Sequence, residues 1–117
     1  MDEYYSKGGD LNRVLHLIDA GANVNTQDQF GQTLLHHAIF HDHTEVVKAL
    51  LKNGAILADP ESRAMSPLHY AAARNRIECA KLLLAAGAPK NADNGLGQTP
   101  WDFASQEMKE TLPELQP

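Results

Sequence analysis

Apolar residues recur along this chain at spacings that predict short amphipathic helices rather than strands. Val46, Val47, Leu50 and Leu51 occupy positions i, i+1, i+4 and i+5, which places them on one face of a helix. The run at 79–84, CAKLLL, repeats this order of apolar positions 33 residues later. A half-buried strand would instead alternate at every second residue. We therefore predict similar helices at both places, each with one buried stripe.

The same 33-residue spacing relates three further features of the sequence, which indicates an internal repeat. A hydroxyl residue stands before a helix-like run at Thr33, Ser66 and Thr99. A Gly-Ala pair recurs at 21–22, 54–55 and 87–88. A residue type that tolerates a left-handed backbone recurs at Gly9, Asp42 and Asn75.

Each feature has a local physical meaning. The hydroxyl residues are N-caps, and Pro67 and Pro100 follow two of them at the first helical position, where a missing N–H costs nothing. The Gly9, Asp42 and Asn75 series marks a turn between two helices, and the glycines of the Gly-Ala pairs end the second helix. One helix pair cannot bury its apolar face alone, so we predict a stack of pairs.

These residues resemble the ankyrin repeat. The run 66–72, SPLHYAA, is close to the family's T-P-L-H-x-A-A, and 21–25, GANVN, is close to its G-A-D-V-N. The resemblance implies an all-α ankyrin-repeat solenoid of stacked antiparallel helix pairs joined by β-hairpin-like fingers. We expect one domain over 1–117, with a capping repeat at 1–30, full repeats at 31–63 and 64–96, and a truncated capping repeat at 97–117.

Several residues depart from the family pattern. Leu34 replaces a proline, and Asp102 takes a histidine position in the last unit. Pro113 should end the last helix early. Tyr5 and Arg13 fall where small or apolar residues stand in the other units, which favours an N-terminal cap; loss of upstream repeats is the alternative.

Composition narrows the function. The 117 residues carry a formal charge of −5, which disfavours nucleic acid and anionic membranes as partners. The first residues lack the basic and apolar regions of a signal peptide, and no apolar run is long enough to span a bilayer. With a single cysteine, we expect an intracellular protein, with the cytoplasm as the first expectation and the nucleus as the alternative. We also expect the protein to be monomeric when unbound.

Six histidines suggest a metal site, but a structural interpretation is favoured. In the family, the histidine at the positions of His36 and His69 braces the helix start. His37 and His41 have an i, i+4 spacing compatible with zinc, yet no third ligand is evident, so we interpret them as partner-facing. Cys79 lies on the apolar stripe and is expected in the core. No catalytic motif is present, and we predict no enzyme activity, cofactor or metal.

The repeat leaves the finger tips and the exposed face of each first helix unconstrained, and in the family these positions line the concave face that binds partners. The residues predicted to bind a partner here are Phe30, Gln32, His37, Phe40, His41, Arg63, Met65, Tyr70, Arg74, Leu96 and Gln98. Arg63 and Arg74, with Arg76 nearby, suit a partner that carries an acidic segment. Packing between neighbouring first helices is the alternative for Phe40 and Phe103.

We therefore expect a protein–protein interaction module. One alternative is an inhibitor or regulatory subunit of an enzyme or transcription factor, which would use the same surface. Another is a fragment of a longer ankyrin scaffold.

Overall fold

Two rows of short helices form the described part of the chain. The computed structural model describes residues 11–21, 23–57, 65–92 and 95–117. Within these ranges the helices are α1 (Leu11–Asp19), α2 (Leu34–Phe40), α3 (Thr44–Lys52), α4 (Pro67–Ala73), α5 (Ile77–Ala85), α6 (Pro100–Phe103) and α7 (Gln106–Thr111), followed by a 3-10 turn at Pro113–Leu115. The described residues contain no strand, so the fold is all-helical there, and the β-hairpin form of the fingers stays a prediction.

The helices keep the 33-residue period. We call α2, α4 and α6 the first-row helices; they begin at residues 34, 67 and 100. We call α1, α3 and α5 the second-row helices; they begin at residues 11, 44 and 77. Neighbours within each row pack together, and α2 packs on α3 as α4 packs on α5. This is the predicted stack of pairs, while the division into units at 1–30, 31–63, 64–96 and 97–117 stays a prediction.

Histidines join successive units at the start of the first-row helices. The Thr33 N–H donates to Nδ1 of His36 at 3.1 Å, and Nε2 of His36 lies 2.6 Å from the carbonyl oxygen of Met65 in the next unit. His69 repeats the arrangement, with Nδ1 2.6 Å from Ser66 Oγ and Nε2 2.8 Å from the Gln98 carbonyl oxygen. The bracing role implied by the family resemblance is confirmed for both.

Asp102 preserves half of this arrangement. The Thr99 N–H donates to its Oδ2 at 2.8 Å, as Thr33 does to His36. A carboxylate has no N–H, however, so Asp102 lacks the donor with which each histidine bonds to the following unit. The last α-helix, α7, ends at Thr111, so it stops before Pro113 as predicted.

The turns between paired helices confirm the left-handed backbone expected at Asp42 and Asn75, where φ is +56° and +57°. At the first of these turns the Asp42 N–H donates to the Ile39 carbonyl and the His43 N–H to the Ala38 carbonyl. Such paired bonds are typical of a helix end closed by a left-handed residue. Gly54 and Gly87 also have positive φ, so the predicted second-row caps are confirmed as well.

The core lies between the two rows and is mostly aliphatic. Leu35, Leu50, Leu68 and Leu83 are fully buried, and so is Cys79. Burial raises the pKa of the Cys79 thiol to about 12, and nearby Asp42 adds to this effect. Cys79 is therefore a core residue, as predicted, rather than a nucleophile.

Tyr5, Gly9 and Arg63 lie outside the described residues. Among the described helices, none has the length and apolar character needed to cross a membrane.

Candidate functional site

Large exposed apolar side chains concentrate on one side of the stack. We use finger for the loop that leads from a second-row helix into the next first-row helix. Phe30 and Leu96 lie on fingers and are 64% and 80% exposed, and Phe40, at the end of α2, is 40% exposed. The exposed positions of the second-row helices include charged residues such as Lys48 and Lys81. The side formed by fingers and first-row helices therefore carries apolar surface that the core does not use.

The first described finger is organised by one carboxylate. Oδ1 of Asp28 accepts the N–H of Phe30 at 2.8 Å and that of Gln32 at 3.0 Å, while Oδ2 lies 3.1 Å from Nε2 of His37. Burial raises the pKa of Asp28, but the bonds from His37, Gln32 and Phe30 outweigh it, so the pKa lies below its ordinary value. Asp28 thus fixes the backbone beneath Phe30 and ties this finger to α2.

Arg74 lies over two aromatic rings. Its guanidinium carbon is 4.9 Å from the centre of the Phe40 ring and 5.4 Å from that of Tyr70, both within the range of cation–π attraction. Arg74 is exposed and caps α4, whereas Tyr70 is partly buried against the core. The exposed guanidinium of Arg74 therefore joins Phe40 of one unit to Tyr70 of the next.

The aromatic contact continues along the turn after α2. The ring of His41 meets Phe40 edge-on at 5.1 Å and stacks on His43 at 5.4 Å. Burial, and next the neighbouring His41, lower the pKa of His43. We name the cluster Phe40, His41, Tyr70 and Arg74 the aromatic–arginine patch. It brings together four of the residues predicted to bind a partner.

Arg76, expected beside Arg74 to suit an acidic partner segment, instead bonds within the protein. Its Nη2 donates to the carbonyl oxygen of Phe40 at 2.6 Å, a bond that ties the end of α2 to the next unit. The side chain is only partly exposed. Arg76 therefore supports the backbone beneath the aromatic–arginine patch.

The other predicted binding residues fall into smaller groups. Gln32 and His37 adjoin Asp28, together with Phe30. Met65 and Gln98 offer their carbonyls to His36 and His69, and the Gln98 side chain is exposed. Leu96 stands on a later finger. Membership of all these residues in a binding surface stays a prediction.

Phe40 and Phe103 behave differently from one another. Phe103 is partly buried against the core and meets His69 edge-on at 5.8 Å, so inter-helix packing accounts for it. Phe40 is 40% exposed, which packing alone leaves unexplained.

Ile56 is an exposed apolar residue that the sequence interpretation missed. It is 45% exposed, and its N–H donates to Oδ1 of Asn25 at 2.8 Å, which holds its backbone against the preceding unit. A signal was available: Ile56 stands where the family's G-A-D-V-N pattern has an acidic residue, and Asn23 takes that place one unit earlier.

The histidines do not assemble a metal site within the described part of the chain. No group of three or more His, Cys, Asp or Glu residues is placed there to hold an ion. His37 lies against Asp28, and His41 lies against Phe40 and His43.

Known proteins resemble this chain over most of its length. Residues 4–107 match a family model described as Ankyrin repeats (3 copies). Protein phosphatase 1 regulatory subunit 27 of Mus musculus is 31% identical over 105 residues, which is 89% of this chain and 68% of that protein. Tyrosine-protein kinase HTK16 of Hydra vulgaris is 34% identical over 84% of this chain and 13% of its own length. Nuclear factor NF-kappa-B p105 subunit of Rattus norvegicus is 33% identical over 68% of this chain and 8% of its own length. The chain thus spans only a small part of the last two proteins.

Proposed function

Because this chain belongs to the ankyrin-repeat family, whose repeats are generally protein-interaction modules, we propose that it binds a partner protein through its fingers and first-row helices. One observation carries the proposal. Phe30, Phe40 and Leu96, three of the large apolar side chains with substantial exposure, all lie on this side. Aromatic residues and arginine are also the types most enriched where binding energy concentrates.

The binding surface is held in place before any partner arrives. His36 and His69 bond successive units, and Asp28 fixes the finger that carries Phe30. A surface that is already ordered loses little conformational entropy on binding, so more of its contact energy appears as affinity. Specificity then depends on the side chains presented, since the backbone follows the repeat.

The proposal is tested by affinity capture with matched variants. Wild type is compared with Phe40→Ala/Tyr70→Ala/Arg74→Ala, and with a control in which exposed second-row residues change, Glu45→Ala/Lys48→Ala/Lys81→Ala. We expect the first variant to lose partners that wild type and the control retain. Thermal unfolding of each variant checks that the stack is intact. Retention of every partner by the first variant would contradict the proposal.

A regulatory subunit of an enzyme is the second candidate function. The observation in its favour is the similarity to Protein phosphatase 1 regulatory subunit 27, of which the match covers 68%. The other two relatives are much longer than this chain, so their activities offer weaker guidance. If a captured partner is an enzyme, its turnover with and without this protein separates regulation from simple attachment.

A further inference from the structure

Arg74 is the one arginine of the aromatic–arginine patch, and its donors are not used within the described part of the chain. Its guanidinium contacts the rings of Phe40 and Tyr70 but makes no ion pair or hydrogen bond with a described residue. A planar guanidinium can stack on aromatic rings and still present its fork of N–H donors to a carboxylate. The patch therefore holds a positioned fork of donors beside exposed aromatic surface.

The charges around this fork suit a negative group. The whole chain carries 15 acidic and 10 basic residues, yet the residues predicted to bind a partner include arginine and histidine and no acidic residue. No described carboxylate pairs with Arg74. Asp28 bonds with Phe30, Gln32 and His37, Glu107 accepts from Asn75 at 3.3 Å, and Asp42, which follows His41, accepts from the Cys79 thiol at 3.5 Å. An incoming anion would therefore meet Arg74 without displacing a carboxylate of this chain.

We infer that Arg74 is the anchor for a glutamate or aspartate carboxylate in an extended, acidic segment of the partner protein, with an apolar partner residue against the exposed part of Phe40. This inference rests on the proposed function and specifies the partner's chemistry. A carboxylate fits the guanidinium fork with two parallel hydrogen bonds, a geometry that the single ammonium of lysine does not reproduce. The two rings restrict the guanidinium before binding, so less side-chain entropy is lost than for a solvated arginine.

Peptide selection tests the inference and does not require that the partner be identified first. Random peptides of about twelve residues, displayed on phage, are selected on wild type and separately on Arg74→Gln. We expect acidic residues to be enriched at one position among the wild-type binders, next to an apolar residue, and not among the variant's binders. A selection that enriches no acidic residue overturns the inference.

Fluorescence anisotropy with the best selected peptide then measures the contact itself. Arg74→Gln should weaken binding about tenfold or more, and Arg74→Lys should lose most of the same affinity because the planar fork is gone. Replacing the peptide's acid by its amide should cost wild type the same factor and cost Arg74→Gln almost nothing. The charge-matched control Lys81→Gln, on a second-row helix, should stay within about twofold of wild type.

The variants also separate this inference from the proposed function. If the peptide binds Arg74→Gln as tightly as wild type but is lost from Phe40→Ala/Tyr70→Ala, the acidic anchor is wrong and binding through this face stands. If both variants bind like wild type, both proposals fail. If a single-stranded oligonucleotide binds at Arg74 and the acidic peptide does not, the partner is not a protein segment and the inference is overturned.

Discussion

At the scale of single residues, the two buried histidines show what a motif reveals and what it conceals. Family resemblance implied that His36 and His69 brace the helix start, and the bonds to Thr33 and Ser66 do so. The second bond of each ring reaches a carbonyl 29 residues further along the chain. Such partners depend on how the units stack, so no local pattern identifies them.

Replacing His36 by alanine should lower the free energy of unfolding by about 1–3 kcal/mol, because the Thr33 N–H and the Met65 carbonyl lose their partner. Urea unfolding measures the change. His16→Ala is the control, since His16 is exposed on α1 and should shift stability by less than about 0.5 kcal/mol. Equal stability of His36→Ala and wild type would show that the bridge between units contributes nothing.

Acid should weaken the fold through the same histidine. Burial is the main reason that the pKa of His36 lies below its ordinary value of 6.5, and the pKa of His43 is lowered likewise. A lowered pKa means that the unfolded chain takes up the proton first. This contribution to stability is therefore complete above pH 6.5, the pKa in the unfolded chain. It is lost as the pH falls towards the lower pKa of the folded protein.

We expect the free energy of unfolding to fall between about pH 7.5 and about pH 5.5, and to fall less in His36→Asn/His43→Asn. Denaturant unfolding at each pH provides the comparison. The pKa of Asp28 is also lowered, from 3.8, so it adds a similar loss only in a more acidic range. A wild-type stability that does not change over the upper range would contradict this account of His36.

At the scale of elements, helix bounds were predictable and side-chain bridges were not. Caps and left-handed turns are set by neighbouring residues, which is why α2 and α4 end, at Phe40 and Ala73, just before the turns predicted at Asp42 and Asn75. The bridges come from the side chains of the turn residues. Sγ of Cys79 lies 3.5 Å from Oδ1 of Asp42, and Ser105 donates to Asn75 at 2.7 Å. These contacts join elements of different units, so they follow from the tertiary arrangement.

The two turns should respond differently to glycine. Asp42→Gly removes the backbone strain of a side-chain-bearing residue in the left-handed conformation and loses only a weak bond from the Cys79 thiol. Its free energy of unfolding should therefore stay level or rise by up to about 1 kcal/mol. Asn75→Gly relieves similar strain but loses bonds to Ser105 and Glu107, so it should be about 1 kcal/mol less stable than Asp42→Gly. Urea unfolding of both variants tests the order; the reverse order would rule out the bridging role of Asn75.

At the scale of the whole molecule, the repeat period predicted the stack and its core, because the two central units bury the same positions. The sequence predicted which residues belong to the binding surface as a group, but not which of them contact one another. Phe40, His41, Tyr70 and Arg74 converge, whereas Arg76 bonds to the Phe40 carbonyl and Ile56 was missed. Long side chains reach in directions that sequence position does not determine, and this limits such predictions to a face of the molecule.

A cavity in a central helix should destabilise the whole stack. Leu50 is fully buried on α3, which packs against α1, α2 and α5, so Leu50→Ala should cost about 2–5 kcal/mol. Far-UV circular dichroism and the fluorescence of Trp101, the single tryptophan, should report the same lowered midpoint. The exposed residue Lys48 on the same helix supplies the control Lys48→Ala. A fluorescence midpoint that stays in place would mean that the C-terminal unit unfolds independently.

The most direct test of binding through the fingers and first-row helices is amide hydrogen exchange of the chain alone and in complex with a captured partner. We predict slowed exchange in peptides covering Leu34–Phe40, Pro67–Ala73 and the fingers before them, with Thr44–Lys52 and Ile77–Ala85 unchanged. Protection confined to those two second-row helices would show that the partner binds the opposite side and would contradict the account.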